Sequence, residues 1–419
     1  MRNLSNQTWQ IEFQCPQCGA PVTLEETDRL FGCSYCRVRL YISSREYFRY
    51  YLAPPGASLK DILFIPYWRF RGMVFSCKDN DIQQRIADTS LLAMNLGSSV
   101  PPTLGIRPQV LKLSFVTPEA GGVFPNPLCR FKGLAAGASN SPGFAGECGR
   151  KLPGYYEAFI GETLSLIYSP IRIQGGMIHD AILKRPLAAL PQDLTGALTS
   201  NPYEEHSMEF LPTICPHCGW DLQGEKDTLV LHCKNCDSLW EAEEGALRKV
   251  DFEVVASSEE SAVHLPFWRI RARVTGLELD SYADLVEVAN LPKAVRSEWN
   301  RLPMFFWIPA FKVHPQLFLR LIKVLTIFQP QDETQRQLPG SPLYPVTLPL
   351  GEAVESINVA IANMAVPRRL IFPRLSEIQV SLEAHLLHYL PFIPRGGELI
   401  HPSMQVSIDK NALKMGRLI

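Results

Sequence analysis

The hydrophobic pattern of the chain is dominated by two long apolar segments that share one motif. Residues 61–76 read as a buried strand whose side chains alternate from Tyr67 onward. Alternation places Arg69 and Arg71 on the same face as Tyr67, and large aromatic side chains on the other face. The same pattern recurs 200 residues later, where Arg269 and Arg271 take the arginine positions. Two adjacent arginines on a sheet face predict either salt bridges at a solvated surface or contact with an anion or a carboxylate of a partner.

The remaining pattern predicts a mixture of helices, hairpins and loops. Paired glycines between apolar runs, at Gly175-Gly176, indicate a hairpin turn. Glycine- and proline-rich stretches at 96–108 and 117–154 predict loops, and residues 276–288 are expected to pair with the second motif strand as a hairpin. Apolar periodicity predicts helices over residues 81–95, 290–300, 317–328 and 349–365.

A cysteine pattern occurs twice at the same offset as the arginine motif. The first copy is Cys15, Cys18, Cys33 and Cys36, and the second is Cys215, Cys218, Cys233 and Cys236. Two Cys-x-x-Cys pairs with a short spacer bring four thiolates around one metal ion. Gly19 and Gly219 follow the first pair of each copy, where the backbone must turn toward the sulfurs. The repeat therefore indicates an internal duplication and two metal sites.

Both cysteine segments resemble the zinc-ribbon family, whose usual first turn is Cys-Pro-x-Cys-Gly. The resemblance covers residues 12–45 and 212–245 and implies one structural Zn²⁺ per ribbon, held by all four thiolates. A closed four-cysteine site has no open coordination position for a substrate. Iron is the alternative metal, because rubredoxins also begin Cys-Pro-x-Cys-Gly. Their second pair usually repeats that motif, whereas this chain has Cys33-Ser-Tyr-Cys36-Arg and Cys233-Lys-Asn-Cys236-Asp.

A further repeat extends the duplication beyond the ribbons. The pattern that begins at Tyr168 and ends at Gly176 recurs from Tyr389 to Gly397, now at an offset of 221. The fold class expected is α+β, in two tandem units that each join a zinc ribbon to an α+β domain. The predicted domains are residues 1–50, 51–195, 205–248 and 249–419.

Charge and cysteine usage bear on the compartment and on the partners. The formal net charge is −1, which gives no general attraction to nucleic acid or to an anionic membrane. The first ribbon is near neutral and the second is acidic, so phosphates would be repelled by the second. Eight metal-type thiols and an odd number of others favour a reducing cytoplasm. The amino-terminal residues lack the apolar run of a signal peptide, and no apolar stretch is long enough for a transmembrane helix.

No sequence motif assigns a reaction. The chain has no Walker-type loop, no dinucleotide-binding glycine motif, and no metalloprotease or nucleophile-elbow motif. A non-catalytic interaction or scaffold protein, or an accessory subunit of a cytoplasmic complex, is therefore the leading hypothesis. A catalytic site formed between the two halves stays open. The candidate partner contacts are Tyr35, Arg37, Arg39, Arg69, Arg71, His217, Trp220, Trp240, Arg269 and Arg271.

Three other functions remain as alternatives. Nucleic-acid binding would use the arginines of the first ribbon and would weaken steeply with salt. Electron transfer would require iron in the thiolate sites. Peripheral membrane contact would use the apolar residues 304–328, although a helix that is apolar on most sides is normally buried.

Overall fold

The computed structural model describes residues 9–56, 59–117, 120–128, 131, 156–190, 208–404 and 406–419. Residues 132–154 of the loop predicted at 117–154, with Cys148, lie outside these residues, as does Cys129. The strands of the first half are β1 (Gln10–Gln14), β2 (Pro21–Glu25), β3 (Leu30–Gly32), β4 (Arg39–Ser43), β5 (Phe48–Leu52), β6 (Leu63–Lys78), β7 (Asp81–Leu92), β8 (Leu113–Phe115), β9 (Tyr156–Gln174), β10 (Met177–Asp180) and β11 (Arg185–Ala189).

Among the described residues, the second half contains further strands and most of the helices. The strands are β12 (Glu209–Pro212), β13 (Val230–Cys233), β14 (Ser238–Glu243), β15 (Ala246–Val250), β16 (Phe252–Val255), β17 (Val263–Thr275), β18 (Phe306–Pro309), β19 (Thr334–Gln335), β20 (Gln379–Arg395), β21 (Glu398–Ile400) and β22 (Ser407–Asp409). The helices are α1 (Arg107–Val110), α2 (Tyr282–Val288), α3 (Pro315–Phe328), α4 (Leu350–Glu355), α5 (Ile357–Met364) and α6 (Lys410–Gly416). Mixed sheets with separate helices agree with an α+β fold.

Each half is built on one long antiparallel strand pair. In the first half, β6 pairs with β9, and the sheet continues on one side through β7 and on the other through β5, β8, β1 and β2. In the second half, β17 pairs with β20, with β18 on one side and β16 and β19 on the other. The two-glycine turn predicted at Gly175-Gly176 joins β9 to β10, and both glycines have positive φ.

The register of these strand pairs is the same in both halves at the offsets seen in the sequence. Pro66 lies opposite Tyr168 in the first half, and Pro266 lies opposite Tyr389 in the second. A third strand also adds in parallel to the long returning strand in each half, as β5 on β9 and β16 on β20. The sequence repeat is therefore matched by the same strand-pair arrangement.

Strand β6 is buried on both faces, which corrects the expectation of a solvated arginine face. The predicted alternation is present: Ile65 and Tyr67 pack in one apolar cluster, and Phe64, Trp68 and Phe70 pack in another. The first ribbon covers the Tyr67 face. A strand covered on both faces reads as a continuous apolar run, which is how residues 61–76 look.

Two predicted elements have a different structure. Residues 81–92 form the strand β7, because Asp79 and Asn80 both adopt positive φ and make the tight turn that folds this segment back onto β6. Residues 282–288 form the helix α2 in place of a hairpin strand. Its start is fixed by a capping box, in which Ser281 accepts from the Asp284 backbone N–H and the Asp284 carboxylate accepts from the Ser281 N–H.

Two of the later helix predictions agree with the structure. The helix predicted at 317–328 is α3, and the one predicted at 349–365 is the consecutive pair α4 and α5. The segment 290–300 instead contains a short 3-10 turn, Ser297–Arg301. Within the described residues, no helix combines the length and the apolar character needed to cross a membrane.

The segment 304–328 lies in the core of the second half. The side chains of Phe306, Trp307 and Ile308 are almost fully buried, and α3 buries Phe318 and Ile322 in the same cluster. Most of the apolar side chains that would enter a membrane interface are therefore covered by protein. The structure therefore matches the interpretation that this segment is buried.

The apolar core of the second half extends into the first half. Met73 and Phe75 of β6 pack in the same cluster as the residues of α3, and the ring centroids of Phe75 and Phe318 lie 6.1 Å apart. The carboxylate of Glu352 also accepts a hydrogen bond from the backbone of Gly161, at 3.0 Å. Contacts of this kind join β6 and β9 of the first half to helices of the second.

Candidate metal centres

The first ribbon forms its metal-binding turns between paired strands. Cys15 and Cys18 lie in the turn that joins β1 to β2, and Cys33 and Cys36 lie in the turn that joins β3 to β4. Gly19 has φ of +73° and donates its N–H to the Cys15 carbonyl at 2.8 Å. Positive φ is the reason a glycine follows the first turn.

The second ribbon repeats this geometry. The N–H of Gly219 donates to the Cys215 carbonyl at 2.9 Å, and Gly219 has φ of +75°. At the second turn of each ribbon, the left-handed position is taken by Arg37 and Asp237, with φ of +62° and +48°. A non-glycine residue in this region is uncommon, so the turn geometry is imposed by the arrangement of the cysteines and their strands.

The four sulfurs of each ribbon converge on one point. The Sγ–Sγ distances include 3.8 Å for Cys15–Cys36 and 3.7 Å for Cys18–Cys33 in the first ribbon. They include 3.6 Å for Cys215–Cys236 and 3.5 Å for Cys218–Cys233 in the second ribbon. All ligand atoms of a set lie within 4.8 Å of one another.

These distances fit a tetrahedral metal and not disulfides. A tetrahedron with metal–sulfur bonds of about 2.3 Å has sulfur–sulfur edges of about 3.8 Å. A disulfide would require about 2.05 Å, and all eight cysteines are free thiols. The two tetracysteine groups can therefore hold one metal ion each. Zinc and iron bind thiolates at similar distances, so the geometry does not choose between them.

Polar groups beside one thiol of each ribbon favour the thiolate form that binds metal. The backbone N–H groups of Cys36 and Tyr35 point at Cys33 and lower the pKa of that thiol to about 6. In the second ribbon, the Asn235 side chain and the Trp220 backbone N–H lower the pKa of Cys218 to about 6. Burial and the neighbouring thiols raise the pKa of Cys18 and of Cys236 to about 12, so the four thiols of a set do not shift together.

Ser238 gives the second centre an additional neighbour. Its Oγ lies 3.1 Å from the sulfur of Cys236 and 3.8 Å from that of Cys215. The indole Nε1–H of Trp240 donates to the same Oγ at 2.8 Å and fixes its position. Groups of this kind orient metal ligands. The equivalent position in the first ribbon is Val38, so the two centres differ in their surroundings.

The two ribbons pack against each other and do not stand as separate knobs. Strand β12, which precedes the second ribbon, pairs with β4 of the first, with Leu211 opposite Tyr41. The backbone N–H groups of Arg29 and Leu30 donate to the Lys226 carbonyl at 2.7 and 2.9 Å. A small apolar cluster lies between the ribbons and contains Leu30, Tyr41, Cys215, Leu222, Leu231, Cys233 and Trp240.

Strand pairing also crosses the predicted domain boundaries. Strand β1 of the first ribbon pairs in parallel with β8, with Ile11 opposite Leu113, and so joins the large sheet. At the other end of the chain, Arg417 forms ion pairs with Asp227 and Glu225 of the second ribbon, at 2.8 Å for Arg417 Nε to Asp227 Oδ2. The division into four domains remains a prediction.

The predicted partner contacts occupy different environments. Tyr35 and Trp220 are exposed at 69% and 58%, and Arg37, Arg39 and His217 are also exposed near the cysteine turns. Arg71 and Arg269 are partly buried. Arg271 is exposed and pairs with Glu383 at 3.1 Å.

Two of the predicted contacts lie in the interior. Arg69 is fully buried and binds the carboxylates of Glu26, at 2.9 Å, and Asp88, at 3.1 Å. Its guanidinium also lies 3.6 Å from the ring centroid of Trp9. Trp240 is buried between the ribbons. Neither side chain is available to a partner, because each is buried by contacts within the chain.

No sequence motif marks the groups that bury Arg69. Trp9 lies in a polar amino-terminal segment and Glu26 in the loop after β2, and neither falls in a recognisable motif. A cation in an otherwise apolar strand was the one available hint, since a buried charge requires a counter-charge from elsewhere in the chain.

Comparisons with known proteins give no relative from which a role could be transferred. No protein-family model, no curated protein and no solved structure matches this chain. The class that the fold and site define is an α+β protein with two tetracysteine groups that can bind metal and are similar to zinc ribbons.

Proposed function

We propose that this chain is a zinc-binding, non-catalytic interaction protein of the cytoplasm, whose two ribbons form one metal-stabilised contact unit. The observation that carries the proposal is the pair of closed four-thiolate groups, in two ribbons that share one apolar cluster. Four protein thiolates leave no coordination position for a substrate, so the role of each metal is structural.

The packing of the ribbons supports this structural role. A four-cysteine zinc ion contributes on the order of 10 kcal/mol to the folding of a small domain. Cys215 and Cys233 are themselves part of the cluster that Leu30 and Tyr41 complete from the first ribbon. We therefore expect loss of the second metal to loosen the first ribbon as well, so that the two centres stabilise a single unit.

The surface of this unit supports binding to another protein. Tyr35 and Trp220 are large, exposed aromatic side chains that lie at or beside the cysteine turns, where the metals hold the backbone rigid. Tyrosine, tryptophan and arginine are enriched at protein interfaces. The acidic side chains of the second ribbon disfavour phosphate backbones as the ligand. We also propose that the two halves descend from one duplicated unit, on the grounds of their common register.

Native mass spectrometry of the untagged protein from its own source tests this function. The proposal predicts two zinc ions per chain and a complex with a defined second protein. The double variant Y35A/W220A should keep both zinc ions and lose the partner. L370A is the matched control, because Leu370 is 62% exposed, as much as the two aromatic side chains. This variant should retain the partner. A monomer with no partner, or a partner that survives Y35A/W220A, would contradict the interaction role.

A further inference from the structure

One face of the second-half sheet brings together several buried polar groups that have no hydrogen-bond partner among the described residues. Arg269 on β17 lies opposite Trp307 on β18, and Phe267, two residues earlier, lies opposite His388 on β20. Neighbouring strands point opposed residues to the same face, so Arg269, Trp307 and His388 share it. The Arg269 guanidinium carbon lies 3.7 Å from the ring centroid of Phe305, and the ring centroids of Trp307 and His388 lie 5.0 Å apart.

The nitrogens of these side chains are buried and unsatisfied within the described part of the chain. Trp307 is 2% exposed and its Nε1–H has no acceptor; His388 is 4% exposed and neither ring nitrogen has a hydrogen-bond partner. The Nε of Arg269 is buried without an acceptor, and no carboxylate of the described residues lies within ion-pair distance of this guanidinium. Buried polar groups are normally paired, so three such residues on one face require an explanation.

The first half shows what fills the equivalent position. Arg69 occupies the same register, since Arg69 lies opposite Ser165 and Arg269 lies opposite Leu386, at the offset of 221. Arg69 also stacks on an aromatic ring, Trp9, at 3.6 Å. Its guanidinium is occupied by the carboxylates of Glu26 and Asp88. Within the described residues, one copy of this stacked arginine thus has carboxylates bound and the other has none.

The second half has lost both of those carboxylates. The residue 200 positions after Glu26 is Lys226, which lies in the contact between the ribbons. Asp88 belongs to β7, whose place is taken by the much shorter β18, and β18 ends its pairing with β17 at Ile270. No carboxylate of the described residues replaces them at Arg269, which leaves a guanidinium already held by an aromatic ring without a bound anion.

Glu253 sets the charge balance of this face. Its carboxylate accepts a hydrogen bond from Thr334 at 2.9 Å and lies 3.4 Å from His388 Nε2. It is closer to His388 than to Arg269, and its negative charge opposes the binding of an anion. Arg269, Phe305 and Glu253 are all partly exposed, so the face is open to solvent on their side.

We propose that Arg269, Trp307 and His388 form a binding site for a carboxylate group. The guanidinium supplies a planar pair of donors, the indole supplies a third, and a neutral imidazole supplies one donor and one acceptor. The ligand is a small carboxylic acid or the terminal carboxylate of a peptide, which present the same chemistry to the site. The site uses none of the metal ligands and does not depend on the proposed function.

Indole N–H resonances of the full-length protein, with zinc bound, provide a direct test. The chain has seven tryptophans, and the variant W307F identifies the Trp307 signal. Succinate, a short neutral peptide with a free carboxyl terminus, and the same peptide with an amidated terminus are titrated separately. Succinate, the free-terminus peptide or both should shift the Trp307 signal, and the amidated peptide should not. A shift with succinate identifies a small carboxylic acid as the ligand, and a shift with the free-terminus peptide identifies a peptide terminus.

Variants separate this site from general charge effects. R269M should weaken binding by about tenfold or more, because a hydrogen-bonded charge pair is lost. R269K, which keeps the charge without the planar donor pair, should bind more weakly than the wild type. E253Q should bind more tightly, because it removes an opposing charge. R271M is the matched control, two residues along the same face and already paired with Glu383, and should bind as the wild type does.

Three results would overturn the proposal. The first is an unchanged Trp307 signal at millimolar succinate and millimolar free-terminus peptide. The second is an equal shift with the amidated peptide, which would show that the carboxylate is not recognised. The third is binding by R269M as tight as by the wild type, with R269M shown to be folded by its thermal transition.

Discussion

Substitution of Arg69 and of Arg269 by methionine should have very different effects on stability. The two residues hold the same place in the two halves, and both stack on an aromatic ring, at 3.6 and 3.7 Å. They differ in their ion pairs. Arg69 is bound by Glu26 and Asp88, whereas Arg269 has no carboxylate within ion-pair distance among the described residues. The pair of variants therefore isolates the contribution of the buried charge network.

The magnitude follows from burial. Arg69 is fully buried and Glu26 is 4% exposed, so R69M leaves a buried carboxylate whose remaining contact is the Ser165 hydroxyl at 3.3 Å. Removal of one partner of a buried ion pair costs about 3–5 kcal/mol. R269M loses a cation–π contact of about 1 kcal/mol and also removes a half-buried charge without a carboxylate partner. Its net effect should lie within about 1 kcal/mol of zero.

Urea unfolding of the zinc-loaded protein, followed by circular dichroism, measures both effects. R69M should lower the free energy of unfolding by about 3–5 kcal/mol. D88N should cost about 1 kcal/mol or less, because the Asp88 side chain is 41% exposed and solvent screens its pair with Arg69. Equal losses in R69M and R269M, or a larger loss in D88N than in R69M, would refute this account of the buried network.

Three further predictions follow from the metal centres and the core. C33S should reduce the zinc content from two ions to one, measured by elemental analysis, while C77A should keep two. W240A should lower stability by about 3–5 kcal/mol, because Trp240 lies in the cluster between the ribbons, whereas W220A should have little effect in the same urea assay. Burial, with the charge of Arg269, lowers the pKa of His388 from 6.5 to about 3. The unfolded chain therefore binds a proton that the folded chain does not, and the free energy of unfolding should fall as pH drops from about 6.5 toward 3, by about 1.4 kcal/mol per unit. Burial also lowers the pKa of His232 and of His401 to about 4, so these residues add to the same fall. H388Q should reduce the slope by about 1.4 kcal/mol per unit without abolishing it, and a slope unchanged in H388Q would contradict the assignment.

The metal sites and the main strand pairs could be read from the sequence because their signals are local. Cysteine spacing alone brings four thiolates together, and the repeat at two offsets matches the register of β6 with β9 and of β17 with β20. Apolar periodicity was sufficient to predict the helix α3, since the buried side chains of this helix recur at helical spacing. The scaffold role, the partner contacts and the domain boundaries stay predictions.

The errors have local causes that compete with periodicity. Ile82 and Ile86 stand four residues apart, as in a helix, but the left-handed turn at Asp79-Asn80 directs this segment into a strand. Residues 276–288 are predicted as a hairpin strand, whereas the capping box at Ser281 starts the helix α2 within this segment. In both cases the turn or the helix cap determines the secondary structure of the segment, and the apolar spacing does not.

The environment of the arginines could not be read from the sequence, because it depends on contacts between distant segments. The strand motif is the same in both halves, yet Arg69 is sealed by Trp9 and Glu26, and Arg269 is left partly open. The burial of Trp240 likewise depends on the first ribbon, which lies 200 residues away in the chain. The sequence pattern predicts which face of its strand a side chain occupies. The residues that cover that side chain depend on the tertiary structure.

The measurement that tests the central claim most directly is zinc X-ray absorption on the untagged protein, together with its metal stoichiometry. The account predicts two zinc ions per chain, each bound by four sulfurs at about 2.3 Å, with no nitrogen or oxygen ligand. Iron in the same sites, a coordination shell with bound water, or fewer than two metals per chain would contradict the proposal of two closed structural zinc centres.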